Sequence, residues 1–150
     1  MVLNKDDILR IQRNKPPFLM IDRVDYLKES HECLASKILH PDEWFFTCHW
    51  EGDPNMPGSL QLEAMMQTAS LIILIKDDHQ GKVMLVTQVK SLSLKKKIIP
   101  KSEIKVKANL ISEKRGIYNF TASISVNQKL MSKSDFSLYL PSTNGIIKPK

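Results

Sequence analysis

Residues 58–76 read "GSLQLEAMMQTASLIILIK", and a helix formed by this stretch has apolar side chains on nearly every side. Leu60, Met65, Met66, Leu71, Ile72 and Leu74 leave no broad polar face, so the helix must be buried. At a rise of ~1.5 Å per residue it runs ~28 Å, the width of a small domain. No other stretch carries a helical pattern of this length, so whatever buries this helix has to come from the segments on either side.

Those segments read mainly as strands. Asp7–Arg13 is predicted as a short amphipathic helix, stopped by Pro16 and Pro17, since the residue before a proline is disfavoured in helical geometry. Phe18 to about Leu27 mixes β-branched, aromatic and apolar residues and predicts a strand, with a polar turn at Lys28–Ser30 and a partner strand at Glu32–Leu39. After Gly81 the apolar period becomes two. Val83–Leu94, the Ile104/Val106/Ala108/Leu110 alternation, the Tyr118–Val126 alternation and Lys129–Leu140 predict four more strands. Arg115-Gly116 and Asn127-Gln128 supply two of the turns, and the tail over 142–150 is predicted to be loosely ordered. One helix segregated from many strands implies an α+β fold in which a long antiparallel sheet wraps around a central helix, here one domain over residues 1–150.

Composition narrows the partners. The chain has 150 residues, 42% hydrophobic and 25% charged, which is enough apolar matter for a core without disulfides. The amino terminus lacks the apolar run of a secretion signal, and no stretch approaches the length of a membrane span. The two cysteines, Cys33 and Cys48, are therefore expected as free thiols in the cytoplasm. A net charge of +6 suggests an acidic partner, but nucleic acid fits poorly: the basic cluster Lys95–Lys97 has no interleaved aromatics, and no zinc-finger spacing or recognition helix is present. The cluster reads as a solvated face or as a basic rim for an acidic protein.

The chemistry concentrates just ahead of the long helix, in Cys48–Gln67, "CHWEGDPNMPGSLQLEAMMQ". Pro57 suits the first turn of a helix, and Gly58 lets another group approach the backbone. An exposed helix start offers unpaired N–H groups to a partly negative oxygen. Within the helix Glu63, Gln67 and Ser70 fall at i, i+4 and i+7, one polar stripe on an apolar cylinder. His49 is a candidate general base in the loop before them. Each of these residues alone reads more often as structural. Together they supply base, oxyanion donor and acid within one compact segment. His40, Cys48 and His49 lack a metal-ligand spacing, and Ser59 lacks the context of a nucleophile elbow.

That segment resembles the active-site stretch of the β-hydroxyacyl-acyl carrier protein dehydratases of fatty acid synthesis, the FabA/FabZ type, in its loop histidine, its P-x-M-P-G entry to the helix and its following carboxylate. "PPFLMIDRV", Pro16–Val24, resembles the amino-terminal signature of the same family. The resemblance implies a hotdog fold dimerising edge to edge, as a dimer or a trimer of dimers, with His49 of one subunit meeting Glu63 of the other. It further implies that His49 removes the α-proton of a carrier-bound 3-hydroxyacyl thioester, that Glu63 protonates the departing hydroxyl and that Gly58 N–H polarises the carbonyl. No metal or redox cofactor is implied. The acyl chain would arrive on the phosphopantetheine arm of an acidic acyl carrier protein. Gln67 is placed by spacing to orient Glu63, and Trp50, Asn55, Met56 and Pro57 are expected to shape the loop or tunnel mouth. Trp50, Glu51 and Asn55 depart from the family pattern, which also leaves a hotdog thioesterase or a non-catalytic acyl-binding module as alternatives.

Overall fold

A computed structural model describes residues 1–142; the tail predicted over 142–150 lies outside them but for its first residue. Helix α1 (Lys5–Ile11) precedes strands β1 (Arg23–Lys28) and β2 (Glu32–Ile38). A short helix α2 (Trp44–Cys48) and the long helix α3 (Gly58–Leu74) follow, then strands β3 (Leu85–Leu94), β4 (Glu103–Lys114), β5 (Ile117–Val126) and β6 (Lys129–Tyr139). The six strands form one antiparallel sheet in the order β1-β2-β4-β5-β6-β3. Helix α3 packs beneath β2, β4, β5 and β6, which is the wrapped-sheet architecture expected of a hotdog fold.

The core follows from this contact. Met65, Leu71, Ile72 and Ile73 of α3 are fully buried, and the sheet meets them with Ile104, Val106, Phe120, Ile124 and Phe136. Each such side chain contributes roughly 1.5–3 kcal/mol by leaving water. Two hairpins set the register of the long strands. Lys114 pairs with Ile117 across Arg115-Gly116, and Val126 with Lys129 across Asn127-Gln128. All four loop residues have positive φ (53°, 78°, 49° and 65°), the type I′ geometry whose twist matches the flanking strands.

Several predicted boundaries shift, the clearest of them for local reasons. Helix α1 starts at Lys5 instead of Asp7, because Asn4 and Asp7 form a reciprocal capping box: the Asn4 side chain accepts the Asp7 N–H, and Asp7 accepts the Asn4 N–H. The strand predicted from Phe18 begins only at Arg23. Leu19, Met20 and Ile21 are buried, but the Met20 N–H donates to the side chain of Gln67 at 2.8 Å and not to a neighbouring strand. "WFFTC", the segment that leads into the His49 loop, forms helix α2, which turns Phe45 and Phe46 into the core.

Candidate active site

Glu63 sits in the second turn of α3, half-buried. One turn further on, Gln67 donates its Nε2 to Glu63 Oε1 at 2.9 Å. The same amide is held from two other sides, for its Nε2 also donates to the Phe18 carbonyl at 3.0 Å and its Oε1 accepts the Met20 N–H. Both amide hydrogens are thus committed, and Gln67 is buried, so the half-buried carboxylate has a fixed neighbour. Ser70 completes the stripe by donating to the Gln67 carbonyl at 2.8 Å. The clamp explains why "PPFLMIDRV" and the helix belong to one unit: backbone groups of Phe18 and Met20 grip the residue that grips Glu63.

His49 caps the carboxyl end of α2, its N–H donating to the Phe45 carbonyl at 3.1 Å. Its Nδ1 lies 3.1 Å from the Asn55 carbonyl oxygen. A carbonyl can only accept, so Nδ1 carries the hydrogen and Nε2 of the neutral ring keeps its lone pair. Asn55 is buried and donates its Nδ2 to the Asp53 carbonyl at 2.8 Å. Its polarity therefore goes into folding the loop that holds His49. Met56, also buried, pins the end of that loop by donating its N–H to the Ile98 carbonyl at 2.8 Å.

Pro57 stands one position outside α3, as its N-cap, and not in the first turn: with φ −52° and ψ 140° it is extended, and its carbonyl accepts the N–H of Leu60 and of Gln61 at 3.0 Å each. Gly58 is the first helical residue. Among the described residues its N–H has no acceptor. Glycine lets Leu94 reach over from β3 onto the helix start, since a Cβ here would make the Leu94 Cδ1 methyl turn aside. That neighbour was hidden in the sequence, where nothing ties position 94 to position 58.

The site residues divide between two pockets. One takes in His49, Trp50, Asn55, Met56, Gly58, Leu94 and Lys95–Lys97. The other takes in Glu63, Gln67 and Ser70 with Met66, Leu138 and the polar residues Gln12, Arg13 and Lys82. Within one chain, therefore, the base candidate shares a pocket with the oxyanion donor but not with the carboxylate. The cysteines stand apart. Burial pushes the Cys33 thiol up to about 12, which makes it inert, and Cys48 is exposed, donating to the Trp44 carbonyl at 3.2 Å.

A long antiparallel sheet folded over one helix, with a loop histidine before that helix and a clamped glutamate inside it, defines a hotdog-fold protein of the dehydratase type. Residues 13–134 match the FabA-like domain, and the chain belongs to that family. It is 27% identical over 143 residues to the 3-hydroxyacyl-acyl-carrier-protein dehydratase FabZ of Lactiplantibacillus plantarum, covering 95% of this chain and 97% of the relative. To the FabZ of Clostridium botulinum it is 32% identical over 108 residues, 72% of this chain and 75% of the relative. Among solved structures it superposes on a chain of the dehydratase heterocomplex ApeI:P from Xenorhabdus doucetiae with a TM-score of 0.77 at 13% identity, over 91% of each chain. A hypothetical thioesterase with coenzyme A from Streptococcus pneumoniae follows at a TM-score of 0.61 and 11% identity, over 79% of this chain and 84% of that one. Both superpositions speak for the fold.

Proposed function

We propose that this chain is a 3-hydroxyacyl thioester dehydratase acting on acyl carrier protein substrates in fatty acid or related acyl-chain synthesis, and that its active sites are completed between two copies of the chain. The observation that carries the reading is that each working atom is held in place with its reacting side uncommitted. Among the described residues His49 Nε2, Glu63 Oε2 and the Gly58 N–H have no hydrogen-bond partner. The groups that hold them, by contrast, are committed: both amide hydrogens of Gln67, and the Asn55 carbonyl that faces His49 Nδ1.

In this reading the Gly58 N–H, at the positive end of α3, polarises the thioester carbonyl and stabilises the charge that develops on its oxygen. His49 Nε2 takes a proton from C2. The electron pair of that C–H bond becomes the C2–C3 double bond as the C3–O bond breaks, and Glu63, in its protonated form, supplies the proton that lets the hydroxyl leave as water. The steps balance as thioester to enoyl thioester plus water, a redox-neutral change that calls for an acid and a base and no cofactor. The separation of His49 and Glu63 into two pockets supports a site shared by two subunits, and the open edge of β3 provides the surface for pairing them. The basic rim of Lys95–Lys97 beside the His49 pocket supports docking of an acidic carrier protein. Two free thiols agree with a cytoplasmic enzyme.

The test is hydration of a short trans-2-enoyl pantetheine thioester, the reverse reaction, followed by loss of enoyl absorbance with the product identified by mass. The wild type is expected to hydrate it and His49→Ala to be slower by ~10²–10⁴-fold with the fold retained. Thiol release without hydration would replace this reading with a thioesterase. Inertness toward short and long chains alike would replace it with an acyl-binding module.

A further inference from the structure

Building on that dehydratase reading, we propose that Trp50 is a positioning residue for His49, and that Lys97 holds Trp50 in that role. His49 is the C-cap of a five-residue helix and opens onto an exposed loop. Among the described residues its ring makes a single hydrogen bond, from Nδ1 to the Asn55 carbonyl, which fixes one ring atom and leaves the imidazole able to pivot about it. The Trp50 indole closes that freedom. It stacks on the imidazole with centroids 4.6 Å apart and planes 24° from parallel.

Something must in turn hold Trp50, because its residue is 54% exposed and burial alone cannot. The Lys97 ammonium stands 5.6 Å from the indole centroid, within the range of a cation–π contact. Lys97 is itself ion-paired with Asp53, three residues along the same loop. The Met56 N–H to Ile98 carbonyl bond fastens the loop to this segment a second time. The chain Asp53, Lys97, Trp50, His49 therefore runs without a break from a surface ion pair to the catalytic base. Because a base displaced by about 1 Å can lose about 10²-fold in rate, a device that fixes the ring acts on turnover more than on binding.

The experiment measures kcat and KM for hydration of the same enoyl pantetheine thioester in wild type, Trp50→Phe, Trp50→Leu, Trp50→Ala and Lys97→Met. The probe carries neither phosphate nor carrier protein, so an effect of Lys97 on it cannot arise from docking. Trp50→Ala and Trp50→Leu are expected to lose about 10- to 100-fold in kcat with KM within about twofold, while Trp50→Phe, which keeps an aromatic face, stays within about threefold of wild type. Lys97→Met should lose a smaller part of kcat, and raising the salt should bring wild type toward that variant while leaving the variant unmoved. A Trp50→Ala or Trp50→Leu enzyme with unchanged kcat, or with its loss confined to KM, overturns the assignment and returns Trp50 to the tunnel wall. Loss in Trp50→Phe equal to that in Trp50→Ala overturns it as well. A wild type without any hydratase activity instead overturns the dehydratase reading itself, and the role of Trp50 falls with it.

Discussion

The two ends of the sheet are built on opposite principles. At one end β1 is covered: Leu3 exchanges backbone hydrogen bonds with Val24, while Met1 and Leu27 are joined by two more, from the amino-terminal amine to the Leu27 carbonyl and from the Leu27 N–H to the Met1 carbonyl. Asp25 stands at a bulge on this strand and carries ion pairs to Arg23 and Lys105. At the other end β3 pairs, among the described residues, only with β6, and α3 meets it less than it meets β2, β4, β5 and β6, through Leu94 over Gly58. Every residue of β3 is exposed or half-exposed, yet Leu85, Val86, Val89, Leu92 and Leu94 are apolar. Covering backbone and charges close the β1 edge, whereas β3, although it too is bulged between Val86 and Gln88 and between Val89 and Ser91, carries the long apolar edge that suits pairing. The comparison teaches that the sheet ends at β1 and continues, in the proposed assembly, through β3 into a second copy.

The strongest way to break this contrast is to charge the open edge. Val89→Lys together with Leu92→Lys would bring lysines of two copies against one another across a two-fold axis. The pair should sediment as a monomer and fall to the background rate in hydration, since neither His49 nor Glu63 would meet its counterpart. A sharper form mixes His49→Ala chains with Glu63→Gln chains. Random exchange leaves half the dimers mixed, each with one intact site, so ~25% of wild-type activity should return. Adding the two lysine substitutions to both chains should abolish the recovery. A monomeric lysine variant of full activity would show that the site does not span two subunits.

Stripping the closed edge should act on stability and not on catalysis. Removing residues 1–3 takes away buried Leu3 and the hydrogen bonds that cover β1. The expected cost is ~2–3 kcal/mol in urea unfolding, chiefly the lost burial of one leucine, with increased aggregation as β1 becomes an exposed edge. Turnover per folded molecule should hold. An equal fall in turnover would mean that the amino-terminal residues reach the site by some route other than closing the sheet.

The elements of the sheet and its helix were legible because each carries a long period: α3 as an all-round apolar cylinder, β4 to β6 as alternations joined by two-residue turns. The start of α1 was legible in principle through Asn4 and Asp7, a capping signal that a reading centred on apolar residues passes over. Helix α2 was not, because five residues are too few to show a period. At the candidate site, the Glu63 to Gln67 contact follows from helical spacing and is present. The contacts that join distant segments were invisible for want of any local pattern: Gln67 to Phe18 and Met20, Leu94 over Gly58, and Lys97 to Asp53 and Trp50. Asn55, expected to shape the loop or tunnel mouth, lines the His49 pocket and turns its amide back onto its own loop, a contact that residue type alone does not specify.

The smallest expected effect concerns the charges on the closed edge. Burial by itself would push the Asp25 carboxyl up, but hydrogen bonds from Arg23 (2.7 Å) and Lys105 (3.0 Å), with the charges behind them, outweigh it and hold Asp25 below the usual aspartate range. A depressed folded value means that Asp25 contributes stability above its unfolded value, near pH ~4, and that this contribution is lost as pH falls through the folded value. Asp25→Asn should therefore cost only ~0.5–1 kcal/mol at neutral pH, given partly exposed partners. Arg23 and Lys105 also retain Glu103, at 2.9 and 3.2 Å, which limits the loss further. The urea midpoints of wild type and variant should converge as pH is lowered from ~4. Curves that stay parallel down to acid would mean that Asp25 serves the bulge through its shape and not through its charge.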